Sequence, residues 1–197
     1  MGKRAFDLIG AALALTLLAL PMLLIALWIK LDSRGPVFYR QQRVGRHGVP
    51  FAIHKFRSMK AGAGGLPLTV GEDPRITRAG RFLRRTRLDE LPQFIDVLRG
   101  SMSLVGPRPE VPKYVAHWPE GLKQRALAVR PGLTDPSSLA FINEAEILAR
   151  SDDPERAYIE QILPVKLQAA VDYAGRASLA SDIAVLAKTA ITLIRRG

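Results

Sequence analysis

An α+β fold, mainly helical and headed by a membrane helix, is predicted by three observations in the 197-residue sequence. Leu8 to Ile29 is a run of 22 residues without a charge, long enough to cross a hydrocarbon core of roughly 30 Å. Two β-prone runs, Val37 to Arg43 and Val49 to Ile53, flank Gly45-Arg46-His47-Gly48 in the manner of a small β-hairpin. The chain beyond the hairpin shows mostly apolar residues at helical spacing between turns rich in Gly and Pro. The division expected is a membrane segment, 1-34, and one compact domain, 35-197, of a size that builds a proper core.

At the N-terminus, Lys3 and Arg4 precede the apolar run, and Lys30, Arg34, Arg40 and Arg43 lie beyond it, so the positive-inside bias pulls both ends toward the cytoplasm. Pro21 removes one helix hydrogen bond, which predicts a break near Thr16 to Pro21 and a re-entrant hairpin in one leaflet. A single-pass anchor with a mild kink fits the same residues. The run has no small-residue cleavage site, so it is expected to remain on the mature protein. After the hairpin and Lys55-Phe56-Arg57-Ser58-Met59, the segment Ala61 to Gly71 holds four glycines and a proline and reads as a mobile loop. A basic helix is expected over Pro74 to Arg85. Around and past Pro92, Leu91, Phe94, Ile95 and Leu98 recur on one helical face that should point inward until Gly100, placing Asp89 at or beside the N-cap. Rigid turns at Gly106-Pro107-Arg108-Pro109-Glu110 and Arg130-Pro131-Gly132-Leu133-Thr134-Asp135-Pro136 bracket a helix over Gly121 to Val129. Pro154 to Tyr173 is a helix interrupted by Pro164. Ala180 to Ile194 is too short to span; it suits either an amphipathic helix on the membrane surface, with Arg195-Arg196 on lipid phosphates, or a core helix.

Composition narrows the partners. Lys and Arg exceed Asp and Glu by 29 to 18, a net +11, which calls for an anionic partner such as nucleic acid, acidic lipid or a phosphorylated substrate. Aromatic residues are few and not interleaved with the cations, which argues against nucleic acid. With no cysteine there is neither a disulfide framework nor a thiolate site, and His47, His54 and His117 lack the spacing of zinc ligands.

The densest chemical signal is Arg87-Leu88-Asp89-Glu90-Leu91-Pro92-Gln93. Arg81, Arg84, Arg85 and Arg87 give Asp89 and Glu90 the positive surroundings that let two neighbouring carboxylates ionise together. The same residues also suit a capping acid and a first-turn Glu on an ordinary helix. Lys55, Arg57, Arg108 and Arg130 lie on turns stiffened by Gly or Pro, and fixed guanidinium groups suit a pyrophosphate. The acid pair could hold one Mg²⁺, which favours a carboxylate or two with phosphate oxygens and water; either acid could instead attack phosphorus. A solvated basic face for anionic lipid on a membrane-tethered binding protein is the competing explanation of the cations.

Together these blocks resemble the bacterial sugar transferase family, the monotopic polyprenol-phosphate phosphoglycosyl transferases. The resemblance runs through the Pro-bearing membrane helix, Gln42-Arg43-Val44-Gly45-Arg46, Lys55 to Met59, Asp73-Pro74-Arg75-Ile76-Thr77, Leu88 to Gln93, Ser103 to Glu110 and Arg130 to Thr134. Since the chain starts at the membrane helix, it looks like the family's minimal catalytic form. The resemblance implies transfer of sugar-1-phosphate from a UDP-sugar to undecaprenyl phosphate with release of UMP, as the first membrane step of glycan assembly. It makes Asp89 the nucleophile of a covalent phosphosugar intermediate and Glu90 its partner in Mg²⁺ binding and acid/base work. Lys55, Arg57, Arg108 and Arg130 sit in the family's other motifs, and it is their cationic chemistry, with that of Arg87, that assigns them to the phosphates. The resemblance also implies a bacterial inner membrane location with residues 35-197 on the cytoplasmic face, inner-membrane lipids as partners, and self-association as an open possibility. Where many relatives continue with Gly-Trp-Ala-Gln, this chain has Asp135-Pro136-Ser137-Ser138, so their sugar specificity does not carry over.

Overall fold

The computed structural model describes residues 2–135 and 144–194. Pro136-Ser137-Ser138 and Arg195-Arg196, on which two expectations fell, lie outside the described residues. The architecture is mainly helical with a small hairpin, as the sequence predicts.

Helix α1 (Gly2–Asp32) runs as one continuous helix with Pro21 inside it, which corrects the expected break. Proline removes a single backbone donor, here the one that would reach Leu17, and the turns on either side carry the helix past it. At about 1.5 Å per residue, its 31 residues extend roughly 46 Å. Both ends are fastened to the rest of the chain. At the start, Asp7 is buried and accepts from Ser103 Oγ (2.9 Å) and the Leu104 N–H (3.0 Å), while Lys3 pairs with Asp182 and Arg4 donates to the carbonyls of Val97 and Leu98. At the finish, Ile25 and Ile29 pack with Phe56 and Leu83, and the Asp32 carboxylate accepts from the Ala79 N–H at 3.1 Å. Between them Leu13, Leu17, Leu20, Leu23, Leu24 and Leu27 are exposed, on a helix long and apolar enough to cross a membrane.

Strands β1 (Phe38–Val44) and β2 (Pro50–Phe56) form the expected antiparallel hairpin, with Tyr39 opposite Lys55. His47 and Gly48 take positive φ in its turn. The glycine-rich loop holds no helix or strand, but Arg75 gathers it by donating to the carbonyls of Gly64, Leu66 and Leu68. Helix α2 (Arg78–Thr86) starts later than its apolar spacing suggests, because Thr77 caps it by accepting from the Gly80 N–H. Arg87 then turns the chain in the left-handed region (φ 60°), a tight 3₁₀ turn covers Leu88–Glu90, and α3 (Gln93–Arg99) comes next.

Two expectations for this stretch are corrected. Asp89 lies in the 3₁₀ turn and not at the N-cap of α3. The fully buried face of α3 carries Gln93, Asp96 and Val97; Leu91, Phe94 and Ile95 are half-buried, with Leu91 and Phe94 packed against core clusters as expected, and Leu98 is exposed. The reason is that α3 packs on the polar hairpin as well as on α1: Asp96 accepts from the His54 N–H at 2.9 Å and meets His54 Nδ1 at 2.6 Å. Arg99 Nη1 lies 3.4 Å from His54 Nε2. Arginine can only donate, so Nε2 accepts and Nδ1 carries the hydrogen toward Asp96.

Strand β3 (Ser103–Val105) leads through the Pro-rich turn to α4 (Pro112–Val115) and α5 (Glu120–Ala126), and pairs in parallel with β4 (Gly132–Thr134). At the crossing, a Cβ on Gly132 would stand 2.0 Å from the Gly106 nitrogen, so the two turns meet only because both residues are glycine. Helices α6 (Glu144–Ala149) and α7 (Pro154–Ala157) precede a π turn at Tyr158–Ile162, then α8 (Leu163–Arg176) and α9 (Leu179–Ile194). One core cluster centres on Tyr114, Leu148, Tyr158 and Leu163. Of the two roles open to α9, it shares features of both: Val185 and Leu186 pack against the core, while Ile183 and Ile191 are exposed.

Candidate active site

The 3₁₀ turn drives both acids inward. Asp89 is 6% exposed and Glu90 7%, and neither reaches water freely. Glu90 Oε1 accepts from Lys55 Nζ at 2.8 Å and from Arg108 Nη2 at 2.6 Å, with Arg108 Nη1 3.4 Å from Oε2. Burial works to raise the Glu90 pKa, but Arg108 and Lys55 outweigh it and hold the carboxyl well below the usual range. Arg108 is pushed up in turn by Glu90, and burial lowers Lys55. Asp89 moves the other way: burial raises its pKa against the pull of Lys55, and its Oδ1 is buried with no hydrogen-bond partner. The pair is therefore asymmetric, one acid held ionised by cations and the other left open.

Two cavities meet at Asp89. One, of about 420 Å³, is lined by Lys55, Arg84, Arg87, Glu90 and Arg108, and also by Tyr158 and Lys166. The other, of about 440 Å³, is lined by Phe38, Tyr39, Phe56, Met59 and Leu66, with Arg84 and Lys55 again at Asp89. The hairpin supplies Lys55, α2 supplies Arg84, and the Pro-rich turn supplies Arg108, so three separate segments surround the acid turn. The His54–Asp96 contact fixes β2 to α3 one residue from Lys55.

Of the sequence-predicted site residues, Lys55, Arg87 and Arg108 are brought together with Asp89 and Glu90 around one cavity. Arg57 lines the second cavity and not the first, and Arg130 lines neither. Arg57 is 4% exposed and donates to the carbonyls of Ile29, Ser33 and Arg34, closing the C-terminal end of α1, although part of it borders the second cavity. Arg130 Nε donates to the Gly100 carbonyl at 2.8 Å. Helix ends leave carbonyls without partners, and a nearby guanidinium is drawn to them. Arg84 was not singled out from its neighbours in the sequence, where Arg81, Arg84 and Arg85 read alike. Its place beside the buried Leu83 and on both cavities emerges only once α2 is docked; burial lowers its pKa, with Asp89 opposing. Arg43, which lines the first cavity and meets Glu110, and Tyr158 were likewise not singled out as site residues.

The donor set admits a divalent cation in a limited way. Asp89 Oδ1 is open, and Glu90 Oε2 has the looser of the Arg108 contacts, while among the described residues no group of three His, Cys, Asp or Glu forms a cage. That suits Mg²⁺, which keeps waters and phosphate oxygens in its shell, better than a metal that needs an all-protein site.

A helical domain with an apolar helix along it and a buried acid pair among guanidinium groups has the form of a membrane-attached protein with an anion site. The sequence model of the bacterial sugar transferase family matches residues 1–196, and the chain belongs to that family. It is 36% identical over 205 residues to the exopolysaccharide production protein PSS of Rhizobium leguminosarum bv. phaseoli, which covers 99% of this chain and 96% of that one. It is also 36% identical over 196 residues to a UDP-glucose:undecaprenyl-phosphate glucose-1-phosphate transferase of Caulobacter vibrioides, covering 98% and 69% of the two chains. The Escherichia coli protein of that same name is 46% identical over 136 residues, 67% of this chain and 29% of its own, so the chain spans less than a third of that relative.

Proposed function

We propose that this protein transfers sugar-1-phosphate from a UDP-sugar to undecaprenyl phosphate and releases UMP, initiating glycan assembly at the cytoplasmic face of the bacterial inner membrane. The observation that carries the proposal is Asp89: a buried carboxylate with an unpartnered oxygen, flanked by Lys55 and Arg84, at the junction of two cavities.

In the first half, an Asp89 oxygen attacks the sugar-bearing phosphorus of the donor, and the bond from that phosphorus to the bridging oxygen breaks. UMP leaves with the bridging oxygen and its electron pair, and an aspartyl phosphosugar remains. In the second half, an oxygen of the lipid phosphate attacks the same phosphorus, the acyl phosphate bond breaks, and the Asp89 carboxylate is regenerated. One phosphoanhydride is exchanged for another, and no net proton is needed. Lys55, Arg84, Arg87 and Arg108 face the charge that develops on the phosphoryl oxygens. Glu90 holds Lys55 and Arg108 in place while remaining ionised. Mg²⁺, bound chiefly by Asp89 with Glu90 beside it, would neutralise phosphate oxygens. Burial keeps water from the acyl phosphate. Two cavities at one nucleophile suit a ping-pong order in which a soluble donor and a lipid acceptor use the same carboxylate in succession.

A one-sided attachment to the bilayer is supported by α1 itself. Its two ends are fastened to the same domain, through Lys3, Arg4 and Asp7 at one end and Ile29 and Asp32 at the other, which favours both lying on one side of the bilayer while the exposed leucines between them meet lipid.

The test is release of UMP by membranes carrying the protein when supplied with Mg²⁺, a UDP-sugar and undecaprenyl phosphate. Asp89→Asn is expected to abolish release while the protein stays folded in the membrane; full activity in that variant overturns the assignment of the nucleophile.

A further inference from the structure

The polar cavity carries a second group of side chains that the phosphoryl chemistry leaves unused. Tyr158 Oη donates to Glu110 Oε2 at 2.5 Å. Lys166 pairs with Glu144, lies 3.5 Å from Tyr158 Oη and stands 4.9 Å from the centre of the Tyr158 ring. All four residues line the same cavity as Asp89. Local structure puts them there. The π turn lets the Leu163 N–H reach back five residues to the Tyr158 carbonyl, and Pro164 comes next with no N–H to restore an ordinary ladder. The extra residue in that turn sets Tyr158 and Lys166 on a common wall facing α6.

The chemistry of this wall differs from that of the wall around Asp89. Glu110 and Glu144 are carboxylates, which repel phosphate oxygens and accept from hydroxyls; Lys166 donates to hydroxyls, and Tyr158 Oη, whose one hydrogen goes to Glu110, accepts from them. The tyrosine rings of 114 and 158 pack on each other at 4.7 Å and are buried, so they offer no open face for a nucleobase. Pyrophosphate oxygens suit Lys55, Arg84 and Arg87 beside Asp89, and an uncharged, hydroxyl-bearing group suits the wall that carries Glu110 and Glu144, with Arg108 bordering both.

We propose that Glu144, Lys166 and Tyr158 read the hydroxyls of the donor sugar, selecting an uncharged hexose over a uronic acid, while the uridine lies away from this wall. The assignment rests on the transfer reaction proposed above. A wall built from hydrogen-bonding groups rejects an epimer more strongly than an apolar wall does, because the wrong sugar leaves buried groups unpaired.

The experiment measures UMP release across UDP-glucose, UDP-galactose, UDP-N-acetylglucosamine and UDP-glucuronic acid for the native protein and for Glu144→Gln, Lys166→Met and Tyr158→Phe. The native protein is expected to prefer one uncharged sugar. The variants are expected to raise KM for it by about tenfold with a smaller change in kcat, and to narrow the kcat/KM ratio between the glucose and galactose donors. Inhibition by UMP should be unchanged. Tyr158→Phe keeps the buried ring, so it separates lost recognition from lost packing. Unchanged donor ratios in all three variants overturn the assignment, as does UMP inhibition that weakens in step with KM, which would put the nucleotide on this wall. Absence of UMP release from every donor by the native protein overturns the transfer reaction and this assignment with it.

Discussion

Replacing Glu90 with Gln removes one negative charge from a site where two cations converge on a single carboxylate oxygen. Lys55 Nζ and Arg108 Nη2 lie 2.8 and 2.6 Å from Oε1, and the acid side chain is 9% exposed. At an effective dielectric of about 20, each contact represents roughly 6 kcal/mol of gross attraction, most of it offset by the loss of hydration. Breaking a buried pair by removing one partner costs about 3–5 kcal/mol. The Arg108 side chain is a third exposed and recovers water, and burial disfavours the charged form of Lys55 and lowers its pKa. These two escapes place the expected loss near the lower limit, about 3 kcal/mol, or roughly 6–12 °C in Tm for a chain of this size. Thermal unfolding in detergent micelles or nanodiscs at pH 7 measures it. The sign of the pH dependence gives a second check. Glu90 has a folded pKa below its ordinary 4.5, so its stabilisation is present above that value and is lost as pH falls through the lower folded one. The gap between native and Glu90→Gln proteins should therefore close in acid. A Tm difference under about 2 °C at pH 7, or a gap that persists undiminished to about pH 3, would refute the view that Glu90 anchors the two cations.

Asp89→Asn should do the opposite to stability: a buried carboxylate with raised pKa disfavours the folded state once ionised, so the neutral amide is expected to raise Tm by a few degrees at pH 7 even as UMP release disappears. For the same reason the rate of UMP release should rise with pH through a value above the ordinary 3.8 of an aspartate, and a profile whose acid limb falls below that value counts against Asp89 as nucleophile. Arg57→Met strips donors from the carbonyls of Ile29, Ser33 and Arg34 and is expected to cost about 2–4 kcal/mol of stability, while the donor KM of the surviving folded protein moves less than about threefold; a large KM effect without loss of Tm would return Arg57 to the phosphate site. Single cysteines at Gly2 and Ser33 should both react with an impermeant thiol reagent applied from the cytoplasmic side, and labelling from opposite sides would mean that α1 spans the bilayer.

Local features of the chain were decided by the sequence alone. The uncharged run from Leu8 to Ile29, the glycine-bearing turn between β1 and β2, and the adjacency of Asp89 to Glu90 are properties of neighbouring residues, and so are the family motifs that connect them. Local propensity and covalent adjacency need no tertiary partner to be read. What required the folded chain was every choice between chemically equivalent groups. Arg57 and Arg108 both sit in stiff, basic turns, yet one closes the end of α1 and the other holds Glu90. Arg84 differs from Arg85 in sequence by a single position but borders both cavities at Asp89, whereas Arg85 borders only the first. Gln93 and Asp96 are buried against the pattern of apolar spacing because β2 offers Asp96 a hydrogen-bonding surface. A guanidinium or carboxylate has long reach and many possible partners, and only the docking of distant segments, β3 beside β4 and α1 beside α3, determines which partner comes within hydrogen-bonding distance.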